Sequence, residues 1–288
     1  MTQGRILGNL ILISALWGMS FPLVRIVVAE MSPVAMTAAR GFIAAGALLL
    51  FLWVAGAAWT GFAKVWRHAL VLGLMNGLVP NILNGMSLQR IESLPAALTQ
   101  ATTPLFIAVL AAAFLRETSL GAMRLLGLGL GLVGVAIILG PAALTGGATL
   151  EGVLLMLGVA FCYACATCYM RWARPDAGAL MIVLQQISYA VPATVLALAV
   201  AGPGSFVAPL PIWGVLALTA IIASAIPLTI FVSTLRHATA GQASIVGYLQ
   251  PLGAALAGAV LLGEVPEWRV LGGGLVVLLG CWMIARRA

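Results

Sequence analysis

Ten separate apolar stretches dominate this sequence and restrict the folds open to it. Each is close to the ~20 residues that a helix needs to cross ~30 Å of hydrocarbon at 1.5 Å per residue. The connections between them are short and often contain Gly or Pro, which leaves no room for a soluble domain. We therefore predict an all-α integral membrane protein of ten transmembrane helices, at residues 6–28, 34–57, 68–88, 94–115, 120–139, 150–170, 179–201, 212–235, 242–262 and 270–285.

Composition and charge exclude several other classes of protein. With 63% hydrophobic and only 7% charged residues, the chain has too little polar surface for a water-soluble globule. Its net charge of +7 comes from basic residues scattered singly between apolar runs, so we expect no nucleic-acid binding. The first apolar run is too long for a signal peptide and lacks an A-x-A cleavage site, which favours a first transmembrane span.

The groups that carry enzyme chemistry are sparse. The four cysteines lie within apolar stretches, where small residues that pack helices are expected rather than disulfides or a zinc site. His68 and His237 lie at span ends, and the sequence has no paired acid and base and no nucleophile beside a base. We therefore predict that the protein is not an enzyme and that it has no metal site and no cofactor.

Glycines are concentrated in the fifth and tenth stretches, at Gly127, Gly129, Gly131 and Gly134 and at 272–274. Because small residues let helices approach closely, we predict that these two helices pack against each other. A dimer surface is the alternative interpretation, and a monomer is the expected state.

The distribution of Lys and Arg predicts the orientation, because cytoplasmic loops collect positive charge. With the N-terminus in the cytoplasm, only Arg25, Arg90 and Arg269 flank the outer side, and Arg40 lies within the second span. Both termini are therefore predicted to be cytoplasmic, in a bacterial-type inner membrane. The basic residues on the cytoplasmic side are then Arg5, Lys64, Arg67, Arg116, Arg124, Arg171, Arg174, Arg236, Arg286 and Arg287.

The two halves of the chain resemble each other. A shift of 147 residues aligns Pro80 with Pro227, Pro104 with Pro251 and Glu117 with Glu264, and a shift of 146 aligns Trp17 with Tyr163, Arg25 with Arg171 and Arg40 with Gln186. We predict two five-helix repeats, at 1–145 and 146–288. Five is an odd number, so the second repeat enters the membrane from the opposite side. Inverted repeats leave a site between them near the midplane, as in an alternating-access carrier.

Prolines and polar residues within the spans mark the candidate moving parts and the candidate cavity. A proline removes a backbone donor and frees a carbonyl upstream, so these positions are either hinges or static kinks. Polar groups in a span indicate where protein or water replaces lipid. Hydrogen bonds between helices would explain any single one of them, but their position beside the paired prolines favours a cavity. The residues concerned are Pro22, Pro80, Pro104, Pro192, Pro227 and Pro251, with Asn76, Asn84, Gln100, Thr103, Ser244 and Tyr248.

Two aromatic side chains and two arginines need separate interpretation. Trp17 and its repeat counterpart Tyr163 would pack between helices or form an aromatic wall for a substrate. Arg25 and Arg40 are costly in a membrane, and Glu30 is a possible partner for either. We favour structural or gating roles over substrate binding, because the counterpart of Arg40 is the neutral Gln186.

The acidic residues fall outside the centres of the spans. All seven of them lie in predicted loops or at span ends, so the buried carboxylate typical of a proton antiporter is missing. This pattern favours facilitated transport over proton coupling.

The combination of motifs resembles the EamA family of the drug/metabolite transporter superfamily. In the first half the motifs are Leu16-Trp17-Gly18, Pro22, Arg25, Arg40, Pro104 and Leu115-Arg116-Glu117; in the second they are Gln186, Tyr248-Leu249-Gln250-Pro251 and Leu262-Gly263-Glu264. The resemblance implies a ten-helix basket whose cavity is lined by helices one, three, four, six, eight and nine. It points to cavity residues at Trp17, Asn76, Pro80, Asn84, Gln100, Thr103, Tyr163, Ser224, Pro227, Tyr248 and Pro251. The structural or gating residues are then Pro22, Arg25, Arg40, Pro104 and Gln186.

The family includes amino-acid exporters, so the resemblance implies an exporter of amino acids, aromatic or other neutral ones, or of similar small metabolites. Its partners would be that small-molecule substrate and the lipid bilayer. Tyr163 stands where the family pattern usually has Trp. The alternatives are a multidrug or nucleotide-sugar carrier and, from other classes, a membrane enzyme or a non-transporting scaffold or sensor.

Overall fold

The computed structural model describes residues 2–54, 61–115, 122–140, 148–174, 178–235 and 245–285. In these ranges every regular element is a helix. Seven helical runs are long and apolar enough to cross a membrane, and three apolar helices are shorter, at Leu125–Leu139, Val246–Leu262 and Trp268–Met283. Together they coincide with the ten predicted stretches, while the number of membrane crossings and the orientation of the termini stay predictions.

The first half supplies five helices, two of which are interrupted. We number them α1 (Gln3–Glu30), α2 (Pro33–Val54), α3 (Phe62–Gly73, a π-helical segment Leu74–Leu78, and Val79–Leu88), α4 (Ser93–Gln100, Thr103–Leu110 and a π-helical segment Ala111–Leu115) and α5 (Ala122–Leu139).

The second half follows the same order. Its helices are α6 (Ala148–Ala173), α7 (Ala179–Ala201), α8 (Leu210–Ala220, a π-helical segment Ile221–Ala225, and Ile226–Leu235), α9 (Ile245–Leu262) and α10 (Trp268–Ala285), with a 3₁₀ turn at Pro203–Phe206 before α8.

The π-helical segments of α3 and α8 occupy equivalent positions in the two halves. Leu74 and Ile221, at which they begin, are 147 residues apart, and so are their last residues. Each segment ends two residues before a proline, Pro80 or Pro227, which has no N–H to donate to the helix. A π-helical turn re-forms the backbone hydrogen bonds around such a defect. The local backbone thus repeats at the same spacing as the sequence.

The other prolines have different effects on their helices. α4 is interrupted at Ala101 and Thr102, just before Pro104. The backbone carbonyls at this break find side-chain donors: the Thr103 hydroxyl bonds the Gln100 carbonyl at 2.7 Å, and the Cys281 thiol of α10 bonds the Ala101 carbonyl at 3.0 Å. Pro22, Pro192 and Pro251 lie inside continuous helices.

Glycines bring two pairs of helices into close contact. A Cβ atom at Gly18 of α1 would lie 2.7 Å from the Cα atom of Gly253 of α9, and one at Gly134 of α5 would lie 2.7 Å from the carbonyl oxygen of Gly273 of α10. No side chain fits between backbones at these distances. The predicted packing of the fifth helix against the tenth is confirmed.

Candidate functional site

A buried arginine joins helices from both halves of the molecule. Arg40, in α2, is only 7% exposed. Its Nε donates a hydrogen bond to the hydroxyl of Ser224 in α8 at 3.1 Å, and its Nη1 donates to Oδ1 of Asn81 in α3 at 3.4 Å. Ser224 lies within the π-helical segment of α8, and Asn81 directly follows Pro80. Two proline-disrupted helices, α3 and α8, therefore meet at this guanidinium.

The partners of Arg40 are electrically neutral. None of the carboxylates in the described ranges forms an ion pair with it, and its Nη2 has no acceptor among those residues. Taking a guanidinium out of water costs several kcal/mol unless an opposite charge compensates it. The site thus holds a positive charge that the neighbouring side chains solvate but do not neutralise.

A second hydrogen-bonded pair lies beside Arg40. The hydroxyl of Tyr189, in α7, donates to Oε1 of Gln186 one turn earlier, at 2.7 Å, and both side chains are buried. The ring of Tyr189 fits against two glycines: a Cβ atom at Gly41 would lie 2.7 Å from its Cε2 atom, and one at Gly77 would overlap the ring. We call Arg40, Asn81, Ser224, Gln186 and Tyr189 the polar centre.

A fifth helix, α6, also lies near the polar centre. The hydroxyl groups of Tyr189 and of Tyr163, which belongs to α6, both lie within electrostatic range of the Arg40 guanidinium. The centre is therefore approached by α2, α3, α6, α7 and α8. Tyr163 and Ser224, expected from the sequence to line a cavity, and Arg40 and Gln186, expected to have structural roles, come together here.

Asn84 adds a buried acceptor on α3. It is 7% exposed, and its Oδ1 atom has no hydrogen-bond donor in the described part of the chain. It lies three residues after Asn81, so the two amides share one face of the helix. An unpaired buried acceptor costs about 1–3 kcal/mol, which is a reason to look for a donor from outside the protein.

Trp17 connects the halves at another position. Its indole Nε1 donates to the carbonyl of Ala223 at 3.0 Å, and its ring packs edge-on against Phe231 with centroids 5.2 Å apart. Ala223 lies four residues before Pro227, which has no N–H to bond its carbonyl. Trp17 thus satisfies the carbonyl that the proline of α8 frees.

The remaining candidates lie in several places. Pro80, Pro227 and Pro251 are buried within their helices, and Asn76, Gln100, Pro104 and Tyr248 are partly buried. Thr103 uses its hydroxyl within its own helix. Tyr248 packs against the main apolar core of the bundle. Ser244 and Glu117 lie outside the described residues.

An ion pair fastens the end of the bundle at which α1 ends. Arg25 of α1 donates to the carboxylate of Glu264, which lies between α9 and α10. The same carboxylate accepts from the Ser93 backbone N–H at 3.1 and 3.2 Å and from the Ser93 hydroxyl at 2.8 Å. Glu264 therefore caps the positive N-terminal end of α4 as well as pairing with Arg25.

The prediction that Glu30 pairs with Arg25 or Arg40 was wrong. Glu30 is exposed at the end of α1, whereas Arg25 pairs with Glu264 and Arg40 with neutral groups. Gly258 allows the Glu264 pair to form, because a Cβ atom there would overlap the carboxylate. The positive φ of +65° at Gly263 turns the chain so that Glu264 points back into the bundle.

Comparison with known families decides what kind of protein carries this site. The model of the EamA-like transporter family matches the chain twice, at residues 6–140 and 150–286. The chain belongs to the EamA-like transporter family. It is accordingly a multi-pass membrane protein and a member of the drug/metabolite transporter superfamily.

Two further comparisons concern the fold and the curated relatives of this EamA-like transporter. It is similar to a protein of known crystal structure with 18% sequence identity, over 99% of both chains and with a TM-score of 0.66, a likeness that supports the fold. No curated protein matches. The double match to one family model agrees with the repeated π-helical segments.

The sequence did not single out several residues of the site in this EamA-like transporter. Asn81 and Tyr189 were missed, although each stands three residues from a polar residue that was chosen, Asn84 or Gln186, and so shares its helix face. Ser93 was missed as a partner because it bonds with its backbone N–H, for which the side-chain pattern gives no signal.

Proposed function

We propose that this transporter exports amino acids, aromatic or other neutral ones, or small metabolites of similar chemistry. The observation that carries the proposal is the polar centre: one positive charge, neutral hydrogen-bonding groups and the hydroxyl of Tyr189, all buried and contributed by both halves. A small zwitterion with an apolar side chain matches that set. We further propose a bacterial-type inner membrane as its location.

The transport mechanism that we propose is alternating access. Two inverted halves, 1–145 and 146–288, would rock about the centre between them, with both termini in the cytoplasm. The matched π-helical segments before Pro80 and Pro227 supply weak points at which α3 and α8 can bend. The Arg25–Glu264 pair would close one end of the bundle and would have to separate when that end opens.

Transport down the substrate gradient is the coupling mode that we propose. Five of the seven acidic residues are described, and all five lie at helix ends or between helices: Glu30, Glu92, Glu151, Glu264 and Glu267. A proton antiporter usually carries a carboxylate in mid-membrane. The same pattern counts against carriers of drug cations, and a single buried guanidinium is a weak match to the two phosphates of a nucleotide sugar.

Counterflow in proteoliposomes tests the function. Vesicles loaded with one unlabelled amino acid should take up the same labelled amino acid, for at least one member of a panel of the twenty amino acids. Trp17→Ala and Asn84→Ala should slow uptake, and protein-free vesicles should show none. Failure to move any amino acid would reject the substrate class. Acidification or alkalinisation of the vesicle lumen driven by the substrate would reject uncoupled transport.

A further inference from the structure

The charge of Arg40 is not explained by the helix packing around it. Its two hydrogen bonds use Nε and one N–H of Nη1, both with neutral acceptors. N–H donors therefore remain on Nη1 and Nη2. A buried guanidinium without a counter-charge is unfavourable, whereas one that meets a carboxylate through two parallel hydrogen bonds is strongly stabilised.

The second half shows that the scaffold does not need this charge. Gln186 of α7 occupies the position equivalent to Arg40 of α2, and there a neutral amide accepts from Tyr189 and completes the packing. If both halves required only a polar side chain that joins helices, an amide would serve in both. The positive charge in the first half thus points to a ligand rather than to packing.

We propose that Arg40 binds the carboxylate of the transported substrate. This inference rests on the proposed function and specifies its central contact. Ser224 and Asn81, one from each half, hold the guanidinium between α3 and α8, the helices that carry the matched π-helical segments. Asn84, on the same face of α3 as Asn81, offers a buried acceptor that suits the substrate ammonium group. Substrate binding is thereby coupled to the two elements expected to bend.

Paired ligands that differ only in the carboxylate test the proposal. We would measure binding of L-phenylalanine and L-phenylalaninamide, and of L-leucine and L-leucinamide, to the purified full-length protein in detergent, from tryptophan fluorescence and thermal stabilisation. The acids should bind about tenfold or more tightly than the amides, because a hydrogen-bonded charge pair is lost with each amide. Equal binding of acid and amide, or no binding of either acid, would overturn the proposal.

Variants assign the preference to Arg40. Arg40→Gln copies the residue of the second half and should abolish the preference for the acid over the amide. Arg40→Lys retains the charge without the planar pair of donors, so it should keep a reduced preference for the acid. It tests the assignment if the glutamine variant does not fold. Arg67→Gln, at an exposed position early in α3, is the matched control and should bind like the wild type. An undiminished preference in Arg40→Gln would also reject the assignment.

Counterflow with the same ligand pairs separates this proposal from the proposed function. If amino acids and their amides are exchanged equally well, the carboxylate site is wrong and the transport function stands. If no amino acid is exchanged while acids bind through Arg40, the site stands and the proposed export function is wrong.

Discussion

The two halves of this transporter share a backbone plan but contribute opposite kinds of group where they meet. The first half supplies the cations, Arg25 and Arg40, and the second half supplies their acceptors, Glu264 and Ser224. Asn81, from the first half, is an additional acceptor for Arg40. The π-helical segments of α3 and α8, by contrast, occur at the same place in both halves.

The shared backbone plan and the different charges call for separate explanations. The π-helical segments before Pro80 and Pro227 repeat, as expected if α3 and α8 bend in the same way during the proposed alternating access. On the proposed function, a substrate without twofold symmetry would need different partners on its two sides, which accounts for the different charges. At position 77 the first half has glycine where the second has Ser224, and at position 40 it has arginine where the second has Gln186.

We expect the largest effect from substitution of Glu264, whose carboxylate joins α1, α4 and the connection between α9 and α10. Glu264→Gln removes the charge that meets Arg25 and the N-terminal end of α4. We expect a loss of about 2 to 3 kcal/mol in unfolding free energy, less than for a fully buried pair because Arg25 is one-third exposed. The measurement is thermal or denaturant unfolding of the purified protein, followed by tryptophan fluorescence.

Glu267→Gln is the matched control in the same connection. Glu267 also pairs with an arginine, Arg269, but its side chain is 66% exposed. Removal of a surface pair should cost no more than about 0.5 kcal/mol. Equal losses of unfolding free energy in the two variants would mean that the Glu264 pair does not hold the halves together.

A second prediction concerns a substitution that makes the two halves alike at one position. Gly77→Ser places in α3 the residue that α8 carries at the equivalent position. The ring of Tyr189 already occupies the space of the new Cβ atom, so we expect a loss of about 1 to 2 kcal/mol from overpacking. Gly46→Ser, at an exposed glycine of α2 with no atom within 4 Å of the new Cβ position, should be nearly neutral. If both variants unfold alike, Tyr189 does not pack against Gly77.

The sequence predicted the helices well and the contacts between them less well. The position of each helix follows from the position of its apolar run. The match of Pro80 to Pro227 indicated where α3 and α8 are irregular, whereas the matched Pro104 and Pro251 lie in an interrupted helix and a continuous one. The partner of Arg25 was not predictable, because Glu264 is 239 residues away and approaches through a glycine turn. The neutral environment of Arg40 was equally hidden, since Asn81 and Ser224 meet only after α3 and α8 have packed.

We expect the smallest effect from substitution of Trp17, a first-half residue that donates a hydrogen bond to a backbone carbonyl of α8. Trp17→Phe keeps an aromatic ring against Phe231 but removes the indole N–H that bonds the Ala223 carbonyl. Pro227 has no N–H that could bond this carbonyl instead. We therefore expect a loss of about 1 kcal/mol in unfolding free energy and a small fall in melting temperature. Trp53→Phe, at a position of α2 that is 74% exposed, controls for the loss of indole area. A melting temperature lowered equally in both variants would show that the bond contributes nothing. A fall confined to Trp17→Phe would identify the freed carbonyl of α8 as a contact by which the first half restrains the bending of the second.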